Sequence, residues 1–229
     1  MWKTEPSKLG RIVVPPDVPP GFAVLCTTRD YPGKIIDSDL TTLVRDRFGL
    51  DTSLTTCTQI HSATVVRAHR EESWRECDSC DALYTSDRNV SLGIKIADCL
   101  PISLIDVEHH VIANIHSGWR GAVQNITANA LAAAPLDPST TQALLGPSIR
   151  ACCFEVGEEV ASQFDEGFID RTRTKPHVDL IAFTIGVLES HGITRISDSG
   201  LCTRCDGSIF HSYRRDAGRH GRNLQVVGQ

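Results

Sequence analysis

VSLGIKIADCLPISLIDVEHHVIANIHSGWRG, residues 90–121, decides the fold. Residues 90–97 alternate, residues 102–107 are apolar, and residues 111–115 are apolar again. Alternation predicts a half-buried strand, and a short apolar run predicts a buried one. A short turn at Glu108 and His109 joins the last two runs, which pair as a hairpin. Gly118 and Gly121 then bracket Trp119 and Arg120, and Val123, Ile126, Ala130 and Leu131 recur at helical spacing until Pro135. Buried strands that feed a helix predict an α/β domain.

Two soft-metal ligands stand at the ends of these strands, Cys99 in IADCLPISL and His116 in ANIHSGWRG. A third, His61 in QIHSATV, interrupts a strand-like run upstream. Such positions deliver a side chain to a sheet edge. Two imidazoles and a thiolate suit Zn²⁺, with the fourth tetrahedral position open to water or substrate. Two hydrogen-bonded histidines and a small buried thiol explain the same residues. Asp98 is a candidate to orient an imidazole or to accept a proton; a strand-end cap is its plainer role.

Working outward, residues 22–29 read as a strand and residues 38–48 as a helix, through Leu40, Leu43, Val44 and Phe48. Residues 57–68 read as a strand broken at His61. A helix is expected near 155–164, and another over 179–191 with Asp179 as N-cap and Gly192 beyond its end. Residues 193–196, 209–213 and 224–227 read as strands. Residues 1–21, rich in proline, read as an extended lead-in to one catalytic domain over 22–229. No repeat or linker divides the chain.

Composition narrows the function. A net charge of -5 and a pI near 6.0 argue against a nucleic-acid binder. No apolar run reaches the length of a transmembrane helix, and the N-terminus lacks the apolar centre of a secretion signal. A cytoplasmic protein without membrane partners is expected. Nine cysteines are an odd number, and 229 residues need no disulfide staples. The single methionine is Met1, so no thioether is at hand for a blue-copper site.

Other motifs carry less weight. Arg120, near the start of a helix, is a candidate for phosphate or carboxylate; it is equally a surface Arg beside a packed Trp. SYRRDAGRHGR, residues 212–222, is either a basic lid for an anionic substrate or a solvated turn. Cys77/Cys80 and Cys202/Cys205 are CxxC pairs that together would make a four-Cys zinc site. Cys152 and Cys153 are expected to face opposite ways. Walker, dinucleotide-binding and G-x-S-x-G signatures are missing. His69, Glu71, Cys77 and Cys80 mimic a deaminase signature at too short a spacing.

QIHSATV, CDALYTSDRNVSLGIKIADCLPISLID, VIANIHSGWRG, LLGPSIRACCFEVGEEV and CTRC…IFHSYRRDAGRHGR, in this order, resemble the bacterial laccase-domain family, over about residues 22–227. Its members carry the names multicopper polyphenol oxidase, purine nucleoside phosphorylase and peptidoglycan-editing factor. The resemblance implies a single α/β domain of packed mixed β-sheets flanked by helices, similar to the catalytic domain of cytotoxic necrotizing factor toxins. It implies zinc on His61, Cys99 and His116. It also implies phosphorolysis of adenosine, inosine and methylthioadenosine, with adenosine deamination as a side reaction. In that reading Arg120, Arg214 and Arg215 hold phosphate, Asp98 moves a proton, and Cys99 and Arg120 serve catalysis. The partners are nucleoside and phosphate, and the protein is a monomer or small homo-oligomer. Ser62 stands where the family has Gly, Ser117 where it has Ala, and DYPGKIIDSDL replaces a TRxGGVS loop with its following SLN.

Two alternatives stay open. Cys99 is a nucleophile with His116 as its base in an amidohydrolase or editing enzyme for a peptidoglycan precursor. The other is copper oxidation of phenols, which lacks the H-x-H pairs it needs.

Overall fold

The computed structural model describes residues 2–31, 37–71, 74–218 and 221–229. In chain order the elements are β1 (Lys3–Ser7), β2 (Gly10–Val14), β3 (Ala23–Thr27), α1 (Asp37–Phe48), β4 (Ser53–Cys57), β5 (Val65–Arg67), β6 (Arg75–Cys77), β7 (Ala82–Thr85), β8 (Val90–Ile96), β9 (Leu100–Asp106), β10 (Val111–Ser117), α2 (Trp119–Val123), α3 (Ile126–Ala133), β11 (Thr141–Leu145), α4 (Glu158–Ala161), β12 (Ile169–Asp170), β13 (His177–Val178), α5 (Leu180–Ser190), β14 (Arg195–Asp198), α6 (Tyr213–Asp216) and β15 (Asn223–Gly228).

Two mixed sheets carry the fold. One runs β1-β2-β3-β15-β8-β4-β6 and the other β14-β11-β9-β10-β7-β5. They face each other across a core that takes Val24 and Leu92 from the first and Leu83, Ile105, Ile112 and Leu144 from the second. Leu25, Leu54 and Leu224 turn to the outer face of the first sheet, under Leu40 and Val44 of α1. Ile102, Leu104 and Ile115 turn to the outer face of the second, under Ile126 of α3 and Leu188 of α5. The period-2 alternation of a strand is what lets one strand feed two cores. Every residue of β9 and β10 is buried, as their apolar runs predict. The expected hairpin forms, with Ala113 opposite Leu104.

Polar groups also tie the layers. Asn114 on β10 donates to the carbonyls of Leu92 (2.8 Å) and Gln225 (3.0 Å) in the facing sheet. Its own oxygen accepts from Ser103 (3.1 Å). A buried network satisfied in this way fixes the register of one sheet on the other.

Several local expectations shift. Residues 3–14 form a hairpin on the edge of the first sheet where an extended lead-in was expected; Gly10 makes its turn at φ +87°. The run expected as one helix after Gly118 divides into α2 and α3, because Asn125 adopts φ +63°. Residues 155–164 hold only the short α4, since Glu155 is drawn into a bridge with His177. Residues 209–213 are no strand: the amides of Ile209 and Phe210 turn back to Asp206 O, and Ser212 caps α6. Asp179 caps α5 as expected, accepting from Ile181 N and Ala182 N. Residues 32–36 of the altered segment lie outside the described residues, as do Arg219 and His220 of the basic segment.

Candidate metal centre and active site

The chain crosses from one sheet to the other between β8 and β9, and the crossing builds the site. Asp98 takes φ +91° there, a conformation that costs a non-glycine residue of order 1–3 kcal/mol. The sharp turn sets Cys99 at the sheet end, beside His116 at the end of β10. His61 approaches from the loop after β4, also left-handed at φ +60°. The three residues far apart in sequence therefore meet. One ligand atom of each, two imidazole nitrogens and Cys99 Sγ, lies within 4.8 Å of the others. The two imidazoles stand edge to face, with centroids 5.1 Å apart.

Asp81 organises the cluster. It is fully buried at the start of β7 and takes five hydrogen bonds. Oδ1 accepts from His116 Nδ1 (2.8 Å) and His61 N (3.0 Å). Oδ2 accepts from Ser62 N (2.6 Å), Ser62 Oγ (2.8 Å) and Ile60 N (3.2 Å). Three successive amides curled round a carboxylate form an anion nest, which the left-handed His61 makes possible. With Nδ1–H held by Asp81, His116 presents Nε2 as its free donor atom. This carboxylate–histidine pairing is the usual support of a metal ligand. Sequence reading gave the orienting role to Asp98 and missed Asp81. The available signal was a charge flanked by apolar residues in CDALY, since a buried charge needs partners.

The charges are coupled. Burial pushes the Cys99 thiol up, but the His116 charge and hydrogen bonds from both imidazoles outweigh it and bring it down to about 6. Burial likewise works against charge on His116, yet the Cys99 thiolate and Asp81 raise it to about 9. Asp81, despite its burial, is lowered to about 2, chiefly by His116 and Ser62. Without a cation, the site is a thiolate–imidazolium pair.

Gly118 is required by close approach. A Cβ there would lie 2.9 Å from Cys99 Sγ and 3.2 Å from His61 Cδ2. The cluster thus presses on the backbone at the entrance of α2.

The cluster opens onto a cleft of about 920 Å³, near the upper end of the usual range for small-molecule sites. Trp119, Phe154 and Tyr213 supply aromatic faces to its walls, and Lys95, Arg120 and Arg214 supply positive charge. Arg120 is exposed and stacks on Trp119, 4.3 Å from the ring centroid. Arg214 Nη1 donates to Glu155 O (2.8 Å). Asp98 lines the cleft and is pinned there: Oδ1 accepts from Thr203 Oγ1 (2.6 Å) and Oδ2 from Arg214 N (2.7 Å).

Arg215 departs from expectation. Its guanidinium donates to Thr203 O (2.9 Å), Phe210 O (2.7 Å) and the Asp216 carboxylate (2.8 Å), so it braces a loop and does not line the cleft. The two CxxC pairs do not meet either. Cys80 hydrogen-bonds Cys57, while Cys202 and Cys205 gather with Cys152 and Cys153. Cys152 is exposed and Cys153 buried, as expected, yet both sulfurs reach that second cluster.

Known proteins share this arrangement of sequence and fold. The purine nucleoside phosphorylase of Deinococcus radiodurans is 37% identical over 179 residues, which cover 74% of this chain and 68% of that protein. Adenosine deaminase RL5, from an unknown prokaryotic organism, is 32% identical over 224 residues, covering 86% and 84%. A crystal structure of a Neisseria meningitidis protein assigned to DUF152 superposes with a TM-score of 0.77 at 25% identity, covering 99% of this chain and 98% of that one. YlmD from Geobacillus stearothermophilus, also at a TM-score of 0.77 and 22% identical, shares the fold over 93% of this chain and 94% of its own. The family model described as multi-copper polyphenol oxidoreductase laccase matches residues 27–229, and the chain belongs to that family.

Proposed function

We propose that this protein is a zinc-dependent purine nucleoside phosphorylase, acting on adenosine, inosine and methylthioadenosine, with adenosine deamination as a side activity. One observation carries the reading: a His61–Cys99–His116 cluster that opens on one side into an aromatic cleft with positive walls. Two imidazoles and one thiolate fit Zn²⁺, and among the described residues no fourth protein ligand joins the converging donor atoms. Copper is the lesser fit, because the one methionine cannot supply an axial thioether in the body of the chain. When bound, the ion supplies Lewis acidity at its open position.

The chain's own residues do the rest. Arg120 and Arg214 hold phosphate by charge-assisted hydrogen bonds, which are strongest where the site is sheltered from water. Trp119 and Tyr213 offer flat faces for a purine. Phosphorolysis forms a bond from a phosphate oxygen to ribose C1′ as the bond from C1′ to the purine nitrogen breaks. The electron pair leaves with the base, which then takes up a proton. Positive charge that develops on the ribose is stabilised by the phosphate the arginines have placed beneath it. Asp98, held by Thr203 and Arg214, is the proton-transfer group, taking the proton of the attacking phosphate and returning it to the departing base, so that none is gained or lost overall. We place the reaction in a reducing, cytoplasmic setting, consistent with nine free thiols, and in a monomer or small homo-oligomer. No helix among the described residues is long and apolar enough to cross a membrane.

The test is formation of ribose 1-phosphate from inosine and phosphate by zinc-loaded protein. Hypoxanthine released only when phosphate is present supports the reading. A loaded protein that leaves inosine intact refutes it.

The thiolate–imidazolium pair favours a second reading, a cysteine hydrolase acting on a peptidoglycan precursor, with Cys99 as nucleophile and His116 as general acid–base. Alkylation separates the two. A ligand thiolate is shielded until a chelator is added, whereas a nucleophile is alkylated in the protein as isolated.

A further inference from the structure

The second cysteine cluster lies outside the cleft, and nothing in the proposed reaction uses it. Cys152 and Cys153 lie in the turn after β11, and Cys202 and Cys205 in the loop after β14. These two strands are parallel neighbours, with Leu145 opposite Asp198, so both loops leave the sheet at the same edge. A bridge from Ser148 to Cys202 and the bond from Thr203 N to Ser148 O (3.0 Å) draw them together. All four sulfurs fall within 4.8 Å of one another. Individual separations are 3.6 Å for Cys152–Cys153, 3.8 Å for Cys152–Cys202, 3.8 Å for Cys152–Cys205 and 3.3 Å for Cys153–Cys205.

We propose that Cys152, Cys153, Cys202 and Cys205 bind a single tetrahedral soft cation, Zn²⁺, in a closed structural site. Four sulfurs at about 2.3 Å from a zinc ion stand about 3.8 Å apart. The three separations from Cys152, at 3.6–3.8 Å, match that spacing, Cys153–Cys205 is shorter at 3.3 Å, and all four sulfurs stay within 4.8 Å of one another. Cys152 has three nearly equidistant partners, so a disulfide between Cys153 and Cys205, the closest pair, would leave Cys152 and Cys202 unexplained, while one central ion serves all four. An iron–sulfur cluster distributes its thiolates over several irons and spreads them further.

The surroundings have the complementary charge. Four thiolates around a dication carry a net charge of −2. The Arg204 side chain hydrogen-bonds Cys153. Arg173 Nη1 donates to Cys152 O (3.0 Å), and Arg150 lies close enough to Cys202 to respond to its charge.

The ion acts on the active site through the segments it joins. Residues directly after Cys153, namely Phe154, Glu155 and Val156, form one wall of the cleft. Thr203, directly after Cys202, holds Asp98. Binding here fastens the loop that carries a wall to the loop that positions the cleft carboxylate.

The experiment counts metal and identifies its donors in the full chain, purified under reducing conditions with zinc supplied. Wild type is expected to hold two zinc ions per chain. Cys99→Ala retains one, and its X-ray absorption spectrum shows a shell of sulfur only, at about 2.3 Å. Cobalt in the same variant gives the intense thiolate-to-metal absorption of a tetrathiolate site. Adding Cys152→Ser and Cys205→Ser, both exposed positions, removes that ion and that absorption. The Cys99→Ala measurements stand even if the triple variant fails to fold. A Cys99→Ala protein that binds no zinc, or binds it through nitrogen or oxygen, overturns the proposal. So does a protein whose four thiols are paired as disulfides under the same conditions.

Discussion

Replacing Asp81 by Asn keeps the shape of the side chain and removes its charge. The carboxylate takes five hydrogen bonds, two on Oδ1 and three on Oδ2. An amide has one oxygen and one NH₂. If its oxygen replaces Oδ1, His116 and His61 N keep their acceptor, but the NH₂ then faces the amides of Ile60 and Ser62. If the amide is reversed, the NH₂ faces His116 Nδ1–H and His61 N. In the first orientation the amides of Ile60 and Ser62 lose their acceptor; in the second His61 N loses its acceptor and His116 must give up the proton on Nδ1. Each unmet donor costs about 1–3 kcal/mol, so the metal-free protein is expected to lose about 1–6 kcal/mol. In the reversed orientation, the new amide also drives the His116 proton to Nε2, the atom that faces the ion. Loss of a carboxylate behind a metal-bound imidazole typically costs 10- to 100-fold in affinity. Zinc affinity is measured by competition with a chromogenic chelator, and stability by denaturant unfolding of metal-free protein. Affinity within threefold of wild type, together with stability within about 0.5 kcal/mol, would refute the role given to Asp81.

Zinc binding at the cleft is expected to be coupled to protons. Between about 6 and 9, Cys99 is ionised and His116 still carries its proton, which it must lose to become a ligand. Titration calorimetry in buffers of different ionisation enthalpy, on protein with the second cysteine cluster already filled, should show about one proton released per ion. Affinity should rise about tenfold per pH unit across that window, and flatten above about 9. Gly118→Ala places a methyl group 2.9 Å from Cys99 Sγ at a backbone conformation, φ −79° and ψ 171°, that alanine adopts freely. The expected cost of about 1–3 kcal/mol should therefore appear in metal affinity, while circular dichroism stays unchanged. Arg120→Ala is expected to raise KM for phosphate tenfold or more with little change in KM for the nucleoside; initial-rate kinetics in both substrates decide between these effects.

The parts of this molecule that follow local rules were readable from the chain. β8 alternates because it feeds one core, β9 and β10 run apolar because they feed two, and Asp179 marks the start of α5 because it satisfies two free amides. Strand ends also located Cys99 and His116, since a polar residue closing a buried run has to meet a partner or a cleft. Long-range pairings were not readable. Nothing near Asp81 in sequence points to His116, 35 residues away. The CxxC pairs suggested each other as partners, but the side-by-side endings of β11 and β14 bring Cys202 and Cys205 to Cys152 and Cys153 instead. Arg215 looked available in a basic run until tertiary structure supplied carbonyls for its donors.

The most direct measurement is anomalous diffraction at the zinc edge from crystals of the zinc-loaded protein. A peak should stand between His61, His116 Nε2 and Cys99 Sγ, at about 2.0–2.1 Å from the nitrogens and about 2.3 Å from the sulfur, on the side open to the cleft. A fully loaded crystal with no anomalous density at those three residues would contradict the metal-centred reading of the cleft, whatever ion the outer cysteines hold.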